Sequence, residues 1–273
     1  MSDELCVSLS LVKPNWESMT KKMDKNKDGK VCQSETPAAD AAEFEAFVNQ
    51  VRKEPLLIVE VKNGKKVQIL KGQLDALQNL ASKNEIKLKV LLDRIQVEDG
   101  FIAGISLQAL RDIVDISQLK FLKKLQWLDL YFTKVNDINT LKGLSGLRDL
   151  RLRENNIRDI NALKGLTNLQ NLDLGSTYVD DISALKGLTS LQTLNLVGTN
   201  VKDINALKGL TNLQTLYLNA TDSSDIDVIK GLPNLRKLHI FCKTVSHTDF
   251  GKVCTGNMDI TKSKPGLQQT FYH

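Results

Sequence analysis

A leucine recurs every 22 residues through the second half of the chain. The recurring leucines are Leu125, Leu147, Leu169, Leu191, Leu213 and Leu235. When each is numbered as position 1 of a unit, positions 4 and 6 are also leucine in every unit except at Ile240. Non-core residues occupy positions 3, 5 and 7, and this alternation predicts a strand with one buried face. Six units in phase therefore predict a stack of parallel strands, one strand per unit.

The second half of each unit is equally regular, with valine or isoleucine at position 11, isoleucine at 14, and leucine or isoleucine at 17 and 20. Ser223 is the exception at position 11. Position 15 holds residue types that cap helix starts, namely Asn139, Asn161, Ser183, Asn205 and Asp227. Because so few residues separate this cap from the next strand, we expect a 3₁₀ turn or a single α-turn there.

The segment LQNLDLGSTYVDDISALKGLTS resembles the leucine-rich repeat of bacterial internalins, and the short repeats of eukaryotic phosphatase regulators are its other relatives. The resemblance covers about residues 115–245. It implies an α/β fold, a right-handed leucine-rich repeat solenoid with a parallel sheet on its concave face and 3₁₀ or short helical turns on its convex face. Position 9, usually asparagine in such repeats, carries Thr133, Asn155, Thr177, Thr199, Thr221 and Lys243. We expect threonine to make part of the hydrogen-bond ladder that asparagine makes between repeats.

Residues 24–35, DKNKDGKVCQSE, resemble a single EF-hand calcium loop. Oxygen-bearing residues stand at loop positions 1, 3, 5 and 12, and Gly29 stands at position 6, where the chain must turn. The five predicted ligands are Asp24, Asn26, Asp28, Lys30 (through its carbonyl) and Glu35. Cys32 replaces the usual oxygen residue at position 9, and the sequence has no second loop, so weak calcium binding is expected. The alternative is a polar turn between two helices.

An α/β segment separates this loop from the repeats. Two strands around Asn63-Gly64 predict a hairpin, because this dipeptide suits a type I′ turn. Leu74, Leu77 and Leu80 predict an amphipathic helix, and IAGISLQ predicts the strand of a first, out-of-phase half-repeat. The expected organisation is an EF-hand-like helix-loop-helix at 1–54, an α/β cap or linker at 55–112, repeats at 113–250 and a C-terminal cap or tail at 251–273.

Between residues 122 and 248, the aromatic residues avoid the leucine positions and fall on the outward strand face or its rim. They are Trp127, Tyr131, Phe132, Tyr178, Tyr217 and Phe241. Exposed rings are typical of protein interfaces, so we predict that these residues, with Asp129, Arg151, Arg153 and His239, contact a protein ligand. The alternative is that rings lie outside only because the core positions are leucine. Strands about 4.8 Å apart would separate Trp127 from Phe241 by roughly 25 Å.

Charge and composition narrow the function classes. The net charge is +5 over 273 residues, and the predicted face carries four cations against five carboxylates, which argues against nucleic acid. No apolar run approaches the ~20 residues of a membrane span. Two charge columns on the convex side, one of lysine and one of aspartate, are interpreted as solvated surface. They comprise Lys142, Lys164, Lys186, Lys208 and Lys230, and Asp137, Asp159, Asp181, Asp203 and Asp225.

No P-loop, GxSxG, HExxH or dinucleotide-binding motif is present, and the chain has three histidines, so an enzyme is not expected. The favoured hypothesis is a monomeric protein-binding scaffold. The alternative is a calcium-responsive regulatory subunit or adaptor of an enzyme such as a phosphatase. Acidic residues at the N-terminus do not suit a signal peptide, so we expect a cytoplasmic location, or an exported one if a signal was removed. A Cys242–Cys254 disulfide stays an open alternative.

Overall fold

The computed structural model describes residues 6–8, 30–32, 56–219, 225–241 and 266–272. The largest element in this part of the chain is a nine-stranded sheet. Its strands are β5 (Ile95–Glu98), β6 (Phe101–Ser106), β7 (Trp127–Asp129), β8 (Asp149–Arg151), β9 (Asn171–Asp173), β10 (Thr193–Asn195), β11 (Thr215–Asn219), β12 (Lys237–Phe241) and β13 (Gln268–Tyr272). They are hydrogen-bonded in sequence order. Strands β6 to β13 run parallel, and β5 lies antiparallel to β6 at the edge.

Strand register follows the repeat. Leu128 pairs with Leu150, Leu150 with Leu172, and so on along the sheet. The leucines at positions 1, 4 and 6 are at most 3% exposed, which confirms the predicted core columns. Each column is a row of touching aliphatic side chains in one continuous core, so the repeats stabilise one another rather than folding singly.

Short helical turns lie opposite the strands, as predicted. The 3₁₀ turns are Ser117–Phe121, Asn139–Leu141, Asn161–Leu163, Ser183–Leu185 and Asn205–Leu207, and the last described unit has an α-helix, α3 (Asp225–Lys230).

The predicted side-chain capping is wrong at residues 139, 161, 183 and 205. The side chain of Asn139 makes no cap hydrogen bond; instead, its backbone N–H donates to Asp137 Oδ1 at 2.8 Å. The same bond recurs at 2.7 Å in the next three repeats, from residues 161, 183 and 205 to Asp159, Asp181 and Asp203. The aspartates therefore close an Asx-type turn, and this column is a structural feature rather than only a solvated surface.

Position 9 carries the predicted ladder in part. Asn155 Nδ2 donates to the carbonyls of Leu130 in the preceding repeat and Leu152 in its own, at 2.6 and 3.0 Å. Thr177 and Thr199 donate only to the position 6 carbonyl of their own repeat, at 2.6 Å. The Thr133 hydroxyl, in contrast, donates to Asn155 Oδ1 of the next repeat at 2.7 Å. One threonine therefore makes part of the predicted ladder, and the other two do not.

An α/β cap covers the first repeat. Strands β3 (Leu56–Glu60) and β4 (Lys66–Leu70) form the predicted hairpin, with Asn63 and Gly64 at φ 64° and 71°. The predicted helix is α1 (Lys71–Lys83), and α2 (Leu88–Leu92) follows it. Leu77 and Leu80 are fully buried. The nine-stranded sheet runs on through β5 and β6, so it extends across the boundary at residue 112.

Asn84, just after α1, joins this cap to the repeats. It is 4% exposed, and its Nδ2 donates to the carbonyls of Leu80 and Asp115 at 2.9 and 2.8 Å. Its Oδ1 accepts the N–H groups of Val114 and Asp115 at 2.8 and 2.9 Å. The Lys83 ammonium also holds the pKa of Asp115 down to about 2, chiefly through a direct hydrogen bond. The first half-repeat is therefore anchored before the leucine columns begin.

Two short strands belong to the N-terminal segment. β1 (Cys6–Ser8) and β2 (Lys30–Cys32) pair antiparallel, with Cys6 opposite Cys32 along the backbone. The rest of the predicted calcium loop, and the cysteines at 242 and 254, lie outside the described residues. Within the described part, no helix is long and apolar enough to cross a membrane, and no group of three or more potential ligands is placed to hold a metal ion.

Candidate partner-binding face

The outward side chains of the parallel strands form two straight rows, here called the strand face. The middle row, at position 5, runs through Asp129, Arg151, Asp173, Asn195, Tyr217 and His239. The upper row, at position 3, runs through Trp127, Asp149, Asn171, Thr193, Thr215 and Lys237. Because the intervening leucines point into the core, every side chain of these rows is presented on one side of the sheet.

Arg151 lies among carboxylates at the N-terminal half of this face. Its Nη1 is 3.7 Å from Asp129 Oδ2, and its Nε is 3.9 Å from Asp149 Oδ1. Asp129 is 6% exposed and also accepts the N–H of Tyr131 at 2.9 Å. Arg151 is exposed, so its guanidinium keeps donors available beyond these two long contacts.

Asp173 is the next member of the middle row, and it has no ion pair within the described residues. Its Oδ1 accepts the N–H of Gly175 at 2.9 Å. Burial raises its pKa, against the lowering effects of the Gly175 hydrogen bond and of the charge of Arg153. A half-buried carboxylate without an ion pair is costly in the free protein and suits a cationic group from outside.

Tyr217 and His239 form a flat aromatic surface at the other end of the row. Their rings stack with centroids 4.3 Å apart and planes 8° from parallel. Burial, and secondarily the charge of Lys237, lowers the pKa of His239. The imidazole is therefore neutral at pH 7, and the stacked pair presents a largely uncharged surface.

Trp127 lies at the junction between the repeats and the β5–β6 hairpin. Its Nε1 donates to Gln96 Oε1 at 2.7 Å, and its ring covers the backbone of Gly104. The ring is half-buried. Trp127 therefore contacts the cap as well as lining the strand face, and its position in the repeat predicts only the second of these roles.

Tyr131 and Phe132 lie at the rim, with ring centroids 6.0 Å apart. The Arg111 guanidinium lies 4.1 Å from the centroid of Phe132, and the Tyr131 hydroxyl donates to Glu154 Oε1 at 3.4 Å. Phe132 has φ 56°, an uncommon backbone conformation for a bulky residue. These contacts fix both rings in the free protein.

Two adjoining depressions bring part of the predicted site together. One, of about 350 Å³, is lined by Gln126, Trp127, Leu128, Asp129, Arg148, Asp149 and Arg151. The other, of about 470 Å³, is lined by Asp149, Leu150, Arg151, Asn171, Leu172, Asp173, Thr193, Asn195 and Tyr217. Asp149 and Arg151 belong to both, so the two depressions form one continuous surface.

Several lining residues were not among the predicted ligand contacts, namely Asp149, Asn171, Asp173, Thr193 and Asn195. Positions 3 and 5 of the repeat place these residues on the strand face, but none of them has an aromatic ring. Tyr131, Phe132, Arg153, Tyr178 and His239 line neither depression, and Tyr178 is 54% exposed. Phe241 ends β12, and its side chain lies outside the described residues. Of the predicted calcium ligands, Lys30 alone falls in a described segment, and Asp24, Asn26, Asp28 and Glu35 do not.

Comparisons with known proteins agree with this architecture. A family model described as leucine-rich repeats in two copies matches residues 145–187 and 189–230. No curated protein sequence matches the chain significantly.

Among solved structures, internalin C2 from Listeria monocytogenes is 24% identical, with a TM-score of 0.54, and the match covers 74% of this chain and 86% of that one. An internalin, inlF, from the same species is 21% identical, with a TM-score of 0.47 and coverage of 74% and 64%. The structure titled "TLR13-ssRNA13 complex" is 24% identical, with a TM-score of 0.44 and coverage of 56% and 24%. The first of these similarities supports the fold.

Proposed function

Starting from the conclusion that this chain is a leucine-rich repeat protein, we propose that it is a non-enzymatic scaffold that binds a protein ligand through its strand face. The observation that carries this proposal is the continuous surface of the two depressions, where Asp149 and Arg151 join the Trp127 end to the Tyr217 end. Rings, amides and charges of both signs alternate along it. This mixture is typical of protein interfaces rather than of nucleic-acid sites, which are strongly positive.

The length of the rows supports a macromolecular partner. Six strands about 4.8 Å apart present side chains over roughly 25 Å, which is the scale of a standard protein interface. The side chains are also held in place before binding, since Trp127, Arg151 and Tyr217 each contact a neighbour. Preorganised side chains lose little conformational entropy when a partner binds.

Arg151 and Tyr217 are the residues whose replacement tests the proposal best. Both line the surface, and neither lies in a leucine column, so Arg151→Ala and Tyr217→Ala should leave the melting temperature within a few degrees of the parent. A partner purified on the wild-type chain should bind either variant at least about tenfold more weakly, because large aromatic and arginine side chains dominate interface energies.

Lys186→Ala is the matched control, since Lys186 is exposed on the opposite edge of the repeat. It should bind the purified partner as the wild type does. Unchanged affinity in both strand-face variants, measured by titration calorimetry, would place the partner elsewhere and refute the proposal.

A calcium-responsive adaptor of a partner enzyme, such as a phosphatase, is the second candidate, and one observation favours it. Strand β2 coincides with positions 7 to 9 of the predicted loop and pairs with β1. Backbone pairing at these positions supplies the support that a lone loop otherwise lacks. Calcium bound by Asp24, Asn26, Asp28, the Lys30 carbonyl and Glu35 would then stiffen the segment ahead of the cap.

Calcium titration of the wild type and of Glu35→Gln tests this candidate, with Asp99→Asn as a control carboxylate outside the loop. We expect a single weak site that Glu35→Gln abolishes and Asp99→Asn retains. Partner affinity measured with calcium and with a chelator then separates the candidates. An affinity that does not change with calcium contradicts the adaptor and leaves the scaffold in place.

A further inference from the structure

One flank of the solenoid is positively charged throughout. This basic flank consists of the six segments that lead from a helical turn into the next strand: 120–126, 142–148, 164–170, 186–192, 208–214 and 230–236. These segments contain ten lysines and arginines and no aspartate or glutamate. The cations are Lys120, Lys123, Lys124, Lys142, Arg148, Lys164, Lys186, Lys208, Lys230 and Arg236, and all ten are exposed.

The segments of the basic flank stack directly on one another. Asn168, Asn212 and Asn234 each donate from Nδ2 to a backbone carbonyl of the preceding repeat, at 2.9, 2.8 and 2.8 Å. The helical turns beside them are also in contact from repeat to repeat. The lysines at position 18 therefore form one column along the solenoid axis, with a spacing set by the repeat rather than by flexible chain.

Three of the position 18 lysines stand at the tips of tight turns. Lys142, with φ −57° and ψ 121°, precedes Gly143, with φ 88°, which is a type II turn that requires glycine at its third residue. Lys164 and Lys186 have the same geometry. The side chain at the second residue of such a turn points away from the protein, so these ammonium groups project into solvent.

Within the described residues, the lysine column has no structural role of the kind that the aspartate column has. Asp137, Asp159, Asp181 and Asp203 accept backbone N–H groups on the opposite flank. By contrast, no side chain of the position 18 lysines makes a hydrogen bond or ion pair with another described residue; Lys120 lies 5.1 Å from the centroid of the Phe121 ring. The acids hold turns closed, whereas the lysines contribute charge alone.

We propose that the basic flank binds a linear anionic polysaccharide, one that carries sulfate or carboxylate groups along its chain. Cations that recur once in every stacked repeat act on a polyanion as one continuous field wherever their spacing is shorter than the ~8–10 Å screening length. Lysine supplies mobile point charges rather than the forked, bidentate geometry of arginine, and this suits a ligand whose charges recur along a polymer.

Nucleic acid fits the basic flank less well. Single strands are held by bases stacked on aromatic side chains, and the only ring in the six segments is that of Phe121 at their N-terminal end. Duplex DNA is bound by elements that enter a groove, and the described part of this flank consists of turns and extended segments. The flank is also separate from the strand face, so this proposal does not depend on the proposed function.

The test uses heparin as the probe and the full chain as the protein. Affinity is measured by calorimetry at several salt concentrations for the wild type and for the triple variant Lys164→Gln, Lys186→Gln, Lys208→Gln. The control triple variant is Lys62→Gln, Lys65→Gln, Lys66→Gln, which removes the same charge from the exposed β3–β4 hairpin. Circular dichroism checks that both variants keep the wild-type fold.

We expect the flank variant to bind heparin at least about tenfold more weakly than the wild type. The slope of log affinity against log salt should also become shallower by about two to three, because each lysine contact that is lost means about one counterion fewer released on binding. The control should lose less than about threefold. Equal losses in both variants would show that net charge alone drives binding and would overturn the proposal. Tighter binding to a duplex oligonucleotide or to anionic vesicles than to heparin would also overturn it.

Discussion

The indole ring of Trp127 lies across the backbone of Gly104, its neighbour on β6, and leaves no space for a Cβ atom there. A methyl group at residue 104 would collide with the five-membered part of the ring. The first repeat and the cap hairpin therefore meet where one residue has no side chain and the other has the largest.

Gly104→Ala should displace Trp127 and lower the free energy of unfolding by about 1–3 kcal/mol, as overpacking usually does. Loss of the Nε1 hydrogen bond to Gln96 should also shift the tryptophan emission, read in a Trp16→Phe background so that one indole reports. Gly209→Ala is the control, because nothing lies within 4 Å of a Cβ at that residue. Equal stabilities for the two alanine variants would contradict the contact.

Asn155 should be the most sensitive residue of the position 9 ladder. Asn155→Ala removes the donor to the buried Leu130 and Leu152 carbonyls, and leaving such groups unsatisfied costs about 1–3 kcal/mol. Asn168→Ala also removes a bond between repeats, but an exposed one, so we expect less than about 1 kcal/mol. Urea denaturation gives both values, and an equal loss would argue against the bridging role of Asn155.

Asp181 and its neighbour Asp180 allow a matched comparison. Both are exposed, but Asp181 accepts the Ser183 N–H at 2.7 Å and the Ser183 hydroxyl at 3.0 Å. Asp181→Ala should lower the free energy of unfolding by about 0.5–2 kcal/mol, the usual cost of losing a capping carboxylate. Asp180→Ala should change it by less than about 0.5 kcal/mol. Thermal melts distinguish the two, and a reversed order would refute the Asx-turn assignment.

Asp173 should destabilise the free protein at neutral pH. Burial raises the pKa of this carboxyl above its ordinary value of 3.8, so the folded state binds its proton more tightly than the unfolded chain does. The ionised group therefore costs stability above the folded-state pKa, and the cost disappears as pH falls below the unfolded-state pKa.

Asp173→Asn should accordingly raise the melting temperature at pH 7 and leave it nearly unchanged near pH 3, with Asp180→Asn showing neither effect. A lower melting temperature for Asp173→Asn at pH 7 would show that its hydrogen bond to Gly175 outweighs burial.

The leucine columns were predictable because each of their positions recurs six times, so the pattern averages over local exceptions. The capping residue was predicted wrongly because two residue types in each repeat are equally suited to capping. Asn139 and Asp137 are both residue types that cap helices, and only the backbone geometry of a 3₁₀ turn selects the aspartate. Residue preferences for helix caps do not contain this geometric information.

The candidate site was predictable as a face but not as a set of residues. Positions 3 and 5 follow from strand periodicity, and Trp127, Arg151 and Tyr217 follow from exposed rings and charge. Asp173 differs from other surface aspartates through burial and the lack of an ion pair, which depend on neighbouring strands. The contact between Trp127 and Gly104 was not predictable either. Gly104 lies on β6, and the half-repeat that contains β6 does not follow the 22-residue spacing of the other strands.

Adjacent parallel strands from β7 to β12 are in register at an offset of 22 residues. Any excision of one full period, such as 167–188, therefore rejoins equivalent positions, and the leucine columns close over the junction. Unequal crossing-over in the gene would lengthen or shorten the ligand-facing surface by one strand at a time while both ends stayed intact. The number of strands in this surface can therefore change in evolution independently of the residues that line it.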